Sequence, residues 1–304
     1  MRIVVHGQQA FGKAVLEALL KRGDNIVAVY CGPEKEGQKI DPLKEFALAR
    51  SLPVVQPKSY KKPEVWDAFR ALKPDLCVMA YVTLFVPEEF LNIPTHGTIQ
   101  YHPSLLPLHR GPSSINWPLM WGEKKTGLTI FWPDNGLDTG PVLLQKEVPI
   151  KDDDTLGSIY FDRLFPMGVD AMLESVDLVK AGKAPKIKQD ESKATYEGWC
   201  KAEEAQIHWD QPADKVYNLI RGTNPQPGAW TTQGGKKVQV FECAKAQGKG
   251  APGEVLDVGS QGMTVAAQGG AVLIQRARPE GGAKMGGQEF AQSAGLKPGA
   301  KLGT

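Results

Sequence analysis

The sequence predicts an α/β protein in which a doubly wound, mostly parallel sheet is followed by a small β-barrel domain. Two observations support this prediction. Short β-branched runs alternate with segments of helical periodicity up to about residue 180, a pattern typical of parallel strands joined by crossover helices. After a polar stretch at residues 182–195, short strand-like runs follow one another between glycine-rich turns, as in a small β-barrel. We therefore expect a Rossmann-like domain over residues 1–200 and a barrel domain over residues 201–304.

The first domain opens with a strand, a helix and a second strand. A β-branched run at residues 2–6 ends at Gly7, apolar residues then recur at helical spacing over 11–20, and Asn25–Cys31 is again strand-like. The further predicted strands are 54–55, 76–80, 97–101, 128–132 and 142–148. The further predicted helices are 42–49, 65–72, 86–91 and one or two helices over 156–179, in which Pro166 marks a start or a kink.

The second domain has a short helix followed by closely spaced strands. The helix is predicted over 213–221, and the strands are predicted at 230–232, 238–244, 253–258, 263–267 and 271–276. Glycine-rich turns separate these strands, and this spacing is typical of a small β-barrel.

Composition excludes several classes of protein. Of 304 residues, 41% are hydrophobic and 23% are charged, so the chain has enough apolar surface to fold, and no apolar run is long enough to span a bilayer. Residues 1–200 carry 24 basic and 25 acidic side chains, a net charge of −1, and the total of +2 therefore leaves +3 for the remainder. Such a balance does not demand extended binding to nucleic acid.

Cysteine spacing and the amino terminus indicate the compartment. The four cysteines are far apart and contain no CxxC pair, which argues against a zinc site or a redox motif and fits free thiols in a reducing compartment. These cysteines are Cys31, Cys77, Cys200 and Cys243. The first residues lack the anatomy of a signal peptide. We therefore expect a cytoplasmic protein without a metal site.

The loop after the first strand lies where a dinucleotide fingerprint would lie. Between Gly7 and Gly12, Gln9 stands at the middle glycine of the G-x-G-x-x-G pattern, and a side chain there would obstruct the close approach of a pyrophosphate. A P-loop pattern is also absent from the sequence. We therefore expect no nucleotide cofactor and interpret Gly7 as a residue that the turn requires.

The segment HPSLLP at residues 102–107 is the most informative part of the sequence. It follows a predicted strand, and ligands of open α/β sheets bind at the carboxyl ends of strands. His102 can exchange protons near neutral pH, and Asp138, in the later turn at 134–140, could serve as its carboxylate partner. Ser104 is expected to support the loop rather than to attack, since no G-x-S-x-G motif is present. From the residues alone, a structural role stays open for each of these side chains.

Two segments resemble the folate-dependent formyltransferase family: HPSLLP at 102–107 and LDTG at 137–140. The longer strings most similar to one branch of that family, the N-terminal hydrolase domain of 10-formyltetrahydrofolate dehydrogenase, are 102–117, 130–140, 194–209 and 221–230. The resemblance covers most of residues 1–232. It implies the formyltransferase fold, in which an OB-like barrel follows the α/β domain.

The resemblance also implies a cofactor and a set of functional residues. The formyl donor would be 10-formyltetrahydrofolate. His102 would polarise or protonate the formyl oxygen, and Asp138 would orient the attacking group and accept its proton. The residues that would bind the folate are Leu84, Phe85, Val86, Ser104, Asp134 and Gly136. Without the resemblance, residues 84–86 would be interpreted as ordinary core.

Position 100 departs from both branches of the family. The transferases have Asn two residues before the histidine, as a third catalytic residue, and the hydrolase branch has an apolar residue there, whereas this chain has Gln100. The Gln side chain is one methylene longer than Asn, so a hydrogen-bond donor to the oxyanion could be displaced. Gln100 is therefore a third candidate catalytic residue, with an ordinary strand position as the alternative interpretation.

Three functions remain open. The first is hydrolysis of 10-formyltetrahydrofolate to tetrahydrofolate and formate, which the longer resemblance favours. The second is formyl transfer to an amine, above all that of methionyl initiator tRNA, although the mixed charges of segment 32–43 and the +3 charge beyond residue 200 are weak for tRNA binding. The third is a folate-binding protein without turnover. The further domains of the dehydrogenase lie outside these 304 residues, so we expect no oxidation of the formyl group.

Overall fold

The computed structural model describes residues 1–34 and 37–304, and these residues form two compact units. The first unit consists of Met1–Arg110, Gly127–Glu147 and Arg163–Tyr196. The second unit consists of Gly111–Thr126, Val148–Asp162 and Glu197–Thr304. Residues 111–126, 148–162 and 197–200 of the predicted first domain thus belong to the second unit, and the boundary at residue 200 remains a prediction. Lys35 and Glu36, two of the charged residues of segment 32–43, lie outside the described residues.

The first unit is built on a seven-stranded sheet with the order β3-β2-β1-β4-β5-β6-β7. Its strands are β1 Arg2–Gly7, β2 Asn25–Cys31, β3 Val54–Val55, β4 Leu76–Ala80, β5 Thr98–His102, β6 Lys125–Phe131 and β7 Val142–Pro149. The strands from β3 to β5 are parallel, and β6 is antiparallel to β5. This order, with its reversal between β1 and β4, confirms the prediction of a doubly wound, mostly parallel sheet.

The first four helices join the parallel strands where the apolar periodicity predicts them. In chain order the helices are α1 Gln9–Lys21, α2 Pro42–Leu48, α3 Pro63–Ala71, α4 Glu88–Leu91, α5 Asn116–Met120, α6 Leu156–Ile159 and α7 Phe165–Lys180. A π-helical turn, Tyr160–Leu164, separates α6 from α7, and Pro166 is the second residue of α7. The predicted break near Pro166 is therefore confirmed. Helix α5 was not predicted, because one and a half turns are too short to show a period.

Tyr101 of β5 packs against helix α1, so the neighbouring residues of the strand face the other side of the sheet. The ring of Phe11 in α1 lies 4.3 Å from that of Tyr101 in β5, measured between centroids. Gly168 in α7 leaves room for both rings, since a Cβ there would lie 2.7 Å from Tyr101. Because successive side chains of a strand alternate between faces, Gln100 and His102 share the face opposite to Tyr101.

A buried histidine links the stability of the first unit to pH. His6 of β1 is buried, and the hydroxyl of Tyr60 lies 2.8 Å from its Nε2. Burial lowers the pKa of His6 from 6.5 to about 3, because the charged imidazolium would lose its hydration there. His6 is therefore neutral in the folded protein at pH values where it is protonated in the unfolded chain.

We expect the free energy of unfolding to fall as the pH drops from 6.5 toward 3. In this range the unfolded chain binds a proton at His6 and the folded chain does not, so each pH unit removes roughly 1 kcal/mol of stability. Urea unfolding at pH 7 and pH 5 measures the loss, and the His6→Gln variant, which has no titrating ring, should lose less between the two pH values. Equal losses in the two proteins would contradict this assignment.

The second unit contains an antiparallel sheet with the order β10-β11-β12-β9-β8, in which β13 pairs with β12. Its strands are β8 Ala229–Gln233, β9 Lys236–Ala246, β10 Val255–Gly259, β11 Gly262–Ala267, β12 Gly270–Pro279 and β13 Met285–Gly286. Helices α8 Ala213–Gly222 and α9 Gly287–Ser293 contribute Val216, Ile220 and Phe290 to its core. The prediction of a small domain built on closely spaced strands after the α/β domain is confirmed, whereas its OB-like character remains a prediction. Strand β13 and helix α9 were not predicted, because the glycine-rich sequence around them shows no apolar periodicity.

Candidate active site

Strands β1 and β4 are neighbours at the point where the strand order reverses, which is where ligands of doubly wound folds bind. Their carboxyl ends approach closely, since a Cβ on Gly7 would lie 2.3 Å from the carbonyl oxygen of Ala80. At the start of α1, the backbone N–H of Gln9 donates to the two carboxylate oxygens of Asp41 at 3.1 and 2.9 Å. Asp41 thus occupies the helix N-terminus, the position at which dinucleotide-binding folds hold a phosphate.

His102 is the last residue of β5, so the strand extends one residue further than predicted. Its Nε2 lies 2.9 Å from the carbonyl oxygen of His109. A carbonyl oxygen only accepts hydrogen bonds, so Nε2 carries a proton. The other ring nitrogen, Nδ1, lies 3.6 Å from Oδ2 of Asp138, and only 8% and 9% of the two side-chain surfaces are exposed. The structure therefore brings together the two side chains that the sequence analysis paired.

The separation of this pair has a chemical consequence. A distance of 3.6 Å is too long for a direct hydrogen bond, so Nδ1 of His102 and Oδ2 of Asp138 lie side by side without being joined to each other. An imidazole nitrogen and a carboxylate in this arrangement can both reach the same small reacting molecule. Such a combination is suited to general acid–base catalysis.

Side-chain hydrogen bonds hold the HPSLLP segment in place. The Thr129 hydroxyl on β6 donates to the carbonyl oxygen of Ser104 at 2.7 Å and accepts from the N–H of Leu106 at 3.1 Å. Gln145 on β7 donates to the carbonyl oxygen of Leu106 at 2.7 Å. Ser104 is fully buried, and its hydroxyl donates to the carbonyl oxygen of Leu108 at 2.6 Å. Ser104 thus belongs to the framework of the loop, and the folate contact implied for it remains a prediction.

The turn that carries Asp138 is shaped by Asp134. Its Oδ1 accepts from the N–H of Gly136 at 3.0 Å and from the Thr139 hydroxyl at 2.5 Å. A Cβ on Gly136 would lie 1.9 Å from the Thr139 hydroxyl oxygen, so the tight turn requires glycine. Asp138 itself has a φ of +56°, a left-handed conformation that Asp tolerates better than most residues. Asp134 and Gly136 therefore hold Asp138 in position, and their contacts with folate remain predictions.

The two loops implied in folate binding are joined by a pair of hydrogen bonds. Oδ1 of Asn135 accepts from the N–H of Glu88 at 3.2 Å, and Nδ2 donates to the Glu88 carboxylate at 2.8 Å. Just before Glu88, Val86 is buried in the core of the first unit and Leu84 packs against that core. Phe85, by contrast, is 60% exposed. Of the three apolar residues predicted to bind folate, Phe85 is thus the one whose ring can stack on a ligand.

Gln100 lies in β5, two residues before His102 and on the same face of the sheet. Its backbone pairs with Met79 of β4 and Phe131 of β6, and its side chain is partly buried. This position suits an amide that reaches a group bound at His102. Its catalytic role remains a prediction.

Several contacts of the site could not be predicted from the sequence. The carbonyl of His109 orients the ring of His102. The amide of Gln189 donates to the carbonyl oxygen of Asp138 at 2.9 Å, and the Arg110 guanidinium donates to Gln189. Gln189 lies in the polar stretch at residues 182–195, where nothing in the sequence indicates burial. For Arg110, the extended string 102–117 was the one available signal.

Three further features of the structure bear on the expectations from composition. Within residues 1–34 and 37–304, no group of three or more His, Cys, Asp or Glu side chains is arranged to hold a metal ion. Across the same described ranges, every helix is too short or too polar to cross a bilayer. The four cysteines are free thiols, and all but Cys243 are buried.

The fold and the site agree with a known family of proteins. Residues 1–176 match the formyl transferase family, and residues 200–295 match the formyl transferase C-terminal domain. The chain therefore belongs to the formyl transferase family, whose members use 10-formyltetrahydrofolate or tetrahydrofolate. This finding confirms the resemblance and the formyltransferase fold predicted from the sequence.

Two kinds of relative are similar over most of this chain. The cytosolic 10-formyltetrahydrofolate dehydrogenase of Xenopus tropicalis is 45% identical over 264 residues, which are 85% of this chain and 29% of that protein. This chain therefore spans less than a third of the length of such dehydrogenases, which include cytosolic and mitochondrial forms. The methionyl-tRNA formyltransferase of Geobacter sulfurreducens is 38% identical over 308 residues, which are 100% of this chain and 97% of that protein.

A solved structure shares the fold. HypX from Aquifex aeolicus, in complex with tetrahydrofolic acid, matches with a TM-score of 0.69 at 21% identity. The match covers 98% of this chain and 48% of that chain. At this identity the likeness concerns the fold alone.

Proposed function

We propose that this chain binds 10-formyltetrahydrofolate and hydrolyses it to tetrahydrofolate and formate. The observation that carries the proposal is the buried pair of His102 and Asp138, with Nδ1 and Oδ2 3.6 Å apart and Nε2 fixed by the His109 carbonyl. The identity of 45% to the 10-formyltetrahydrofolate dehydrogenase of Xenopus tropicalis also supports it. A cytoplasmic location remains part of the prediction.

In this proposal the two side chains divide the proton transfers. The water oxygen bonds to the formyl carbon while one water proton passes to the Asp138 carboxylate. The formyl oxygen gains negative charge, which His102 stabilises by donating from Nδ1 after that nitrogen has taken up a solvent proton, since Nε2 already donates to the His109 carbonyl. The bond between the formyl carbon and N10 then breaks, and N10 receives the proton held by Asp138. The products are tetrahydrofolate and formic acid, which ionises to formate.

The folate would lie against the exposed ring of Phe85. This ring is 60% exposed, whereas its neighbour Val86 is buried in the core and Leu84 packs against that core, so we assign those two residues to shaping the loop. The joined Asn135 and Glu88 side chains keep this loop beside the turn of Asp138. Phe85 would then hold the flat pterin ring by stacking while the formyl group extends toward His102.

A second candidate function is formyl transfer to methionyl initiator tRNA. It is favoured by the methionyl-tRNA formyltransferase that matches this chain over 97% of its own length. We rank it second, since the region beyond residue 200 carries a charge of only +3 for a polyanionic partner. In that reaction the methionyl amine would replace water as the attacking group, with the same two side chains.

A competition between water and an amine separates the two functions. Purified protein is supplied with 10-formyltetrahydrofolate, and formate is measured with and without methionyl initiator tRNA. We expect steady formate release without tRNA, and no formylated methionine when tRNA is added. If formate stays at the enzyme-free level and formylmethionine accumulates, the second function is correct. If the protein binds folate but forms neither product, it is a folate-binding protein without turnover.

The amide of Gln100 is expected to assist the same step in this chain, in contrast to the hydrolase branch of the family, which has an apolar residue at this position. In the Gln100→Leu variant, a donor to the developing oxyanion is lost while the side-chain volume is nearly kept, and kcat for formate release should fall about tenfold to a hundredfold with little change in KM. Steady-state kinetics measure both constants. If kcat stays within about twofold of the wild-type value, Gln100 is an ordinary strand residue.

A further inference from the structure

Arg110 is a fully buried arginine whose guanidinium joins three side chains of the first unit. Its side chain has no exposed surface. It donates to Oε1 of Gln189 through Nε at 3.1 Å and Nη2 at 2.7 Å, and to the Glu191 carboxylate through Nη1 at 2.9 Å and Nη2 at 2.7 Å. It also donates to the Tyr196 hydroxyl. Burying a charge is costly unless it is paired in this way, so the arrangement needs a reason beyond stability.

Gln189 connects the guanidinium of Arg110 to the loop that carries Asp138. With Oε1 held by Arg110, its Nε2 donates to the carbonyl oxygen of Asp138 at 2.9 Å and to that of Gly140 at 2.7 Å. Gln189 is itself buried. One side-chain amide therefore fixes the backbone on both sides of Thr139, and with it the direction of the Asp138 carboxylate.

The backbone carbonyl next to Arg110 contacts His102, the other residue of the catalytic pair. The preceding residue, His109, supplies the carbonyl oxygen that accepts the Nε2 proton of His102 at 2.9 Å. The N–H of His109 donates to the Thr195 hydroxyl at 2.8 Å, and the N–H of Arg110 donates to the Thr195 carbonyl at 3.0 Å. The carbonyl that sets the His102 tautomer is thus attached to the residue that holds the Asp138 loop.

We propose that Arg110 and Gln189 form a positioning clamp that sets both the tautomer of His102 and the placement of Asp138. The inference deepens the proposed hydrolysis and rests on it for its catalytic consequence. Neither residue touches the reacting atoms, so both are positioning residues. A shift of about 1 Å in a reacting group can cost about a hundredfold in rate, so loosening the clamp should lower kcat.

Two substitutions loosen the clamp in different ways. In Arg110→Lys, a single ammonium cannot reproduce the planar fork that reaches Gln189 and Glu191 together. In Gln189→Glu, the contact with Arg110 is kept, but a carboxylate oxygen faces the carbonyls of Asp138 and Gly140 in place of the donating amide. The matched control is Arg221→Lys in the second unit, where a buried arginine donates to Asn218 at 2.8 Å and to the Lys151 carbonyl at 3.0 Å.

Kinetics supply the first readout. We expect both clamp variants to lower kcat for formate release about tenfold to a hundredfold, with KM within about threefold of the wild-type value. Arg221→Lys should leave both constants within about threefold after correction for the folded fraction measured by thermal unfolding. If the control loses kcat as strongly as the clamp variants, or if the clamp variants keep the wild-type kcat, the proposal is wrong.

The tautomer of His102 supplies a readout that does not depend on turnover. The ¹⁵N shifts of the imidazole nitrogens, assigned with His102→Gln, should show the proton at Nε2 in the wild-type protein and in Arg221→Lys. In Arg110→Lys and Gln189→Glu, they should show a mixture of tautomers. An unchanged Nε2–H signal in both clamp variants would overturn the proposal. If the wild-type protein released no formate, the proposed hydrolysis would fail, and these shifts would still decide whether the clamp exists.

Discussion

Replacing Asp138 with Asn is expected to lower formate release from 10-formyltetrahydrofolate by about a thousandfold. The amide that replaces the carboxylate cannot accept the water proton, and it offers His102 no negative charge at 3.6 Å. Because Asp138 is buried and its backbone is held by Gln189, the variant should keep the turn and bind tetrahydrofolate as the wild-type protein does. Single-turnover release of formate measures the loss.

Two companion variants make this result specific. His102→Gln should cost a similar factor, and the double variant should be little worse than either single one, because the two side chains act on the same step. Asp67→Asn, the same change at an exposed carboxylate of α3, should release formate at the wild-type rate. A loss of less than about tenfold in Asp138→Asn would remove Asp138 from the reaction.

Replacing Gly140 with Ala is expected to be the most damaging change to the fold of the site. A Cβ at this position would lie 1.7 Å from the carbonyl oxygen of Trp132 and 2.8 Å from its carbonyl carbon. Both atoms belong to the backbone, so the overlap is relieved only if the chain itself moves. We expect the free energy of unfolding to fall by about 3 kcal/mol, the upper end of the usual cost of overpacking.

The same displacement should reach the catalytic loop. The carbonyl of Gly140 accepts from Gln189, and Asp138 lies two residues away, so the folded fraction of Gly140→Ala should also release formate more slowly. Gly198→Ala is the control, because no atom lies within 4 Å of the added Cβ and the backbone needs no positive φ there. Urea unfolding of the two variants should differ clearly. Equal stability would show that the turn adjusts to a methyl group.

How much the sequence reveals depends on whether a feature is local. Strands β2 and β4 have the bounds predicted for them, because a β-branched or apolar run ending in a turn is visible in a few residues. The pairing of His102 with Asp138 joins residues 36 positions apart in sequence, and the residues alone offered it only as one possibility, which the resemblance to a family then favoured. Local pattern could not supply that contact.

The burial of Arg110 and Gln189 depends on tertiary packing and could not be predicted from the sequence. A buried arginine in the string LHRG has the composition of an exposed turn, and Gln189 lies in a stretch rich in Lys, Pro and Asp. Their burial follows from partners about 80 residues away, which no local rule contains. Phe85 is the opposite case, an apolar residue that is exposed. It lies in the same apolar run as Val86, which is buried.

The origin of the oxygen in the released formate decides whether water is the formyl acceptor. The reaction is run with 10-formyltetrahydrofolate in water enriched in ¹⁸O, without any amine acceptor, and formate is analysed by mass. We expect one solvent oxygen in each formate, formed faster than in the enzyme-free solution and lost in Asp138→Asn. Formate production no faster than the enzyme-free rate, with the formyl group transferred only when methionyl initiator tRNA is present, would contradict hydrolysis and identify an amine as the acceptor.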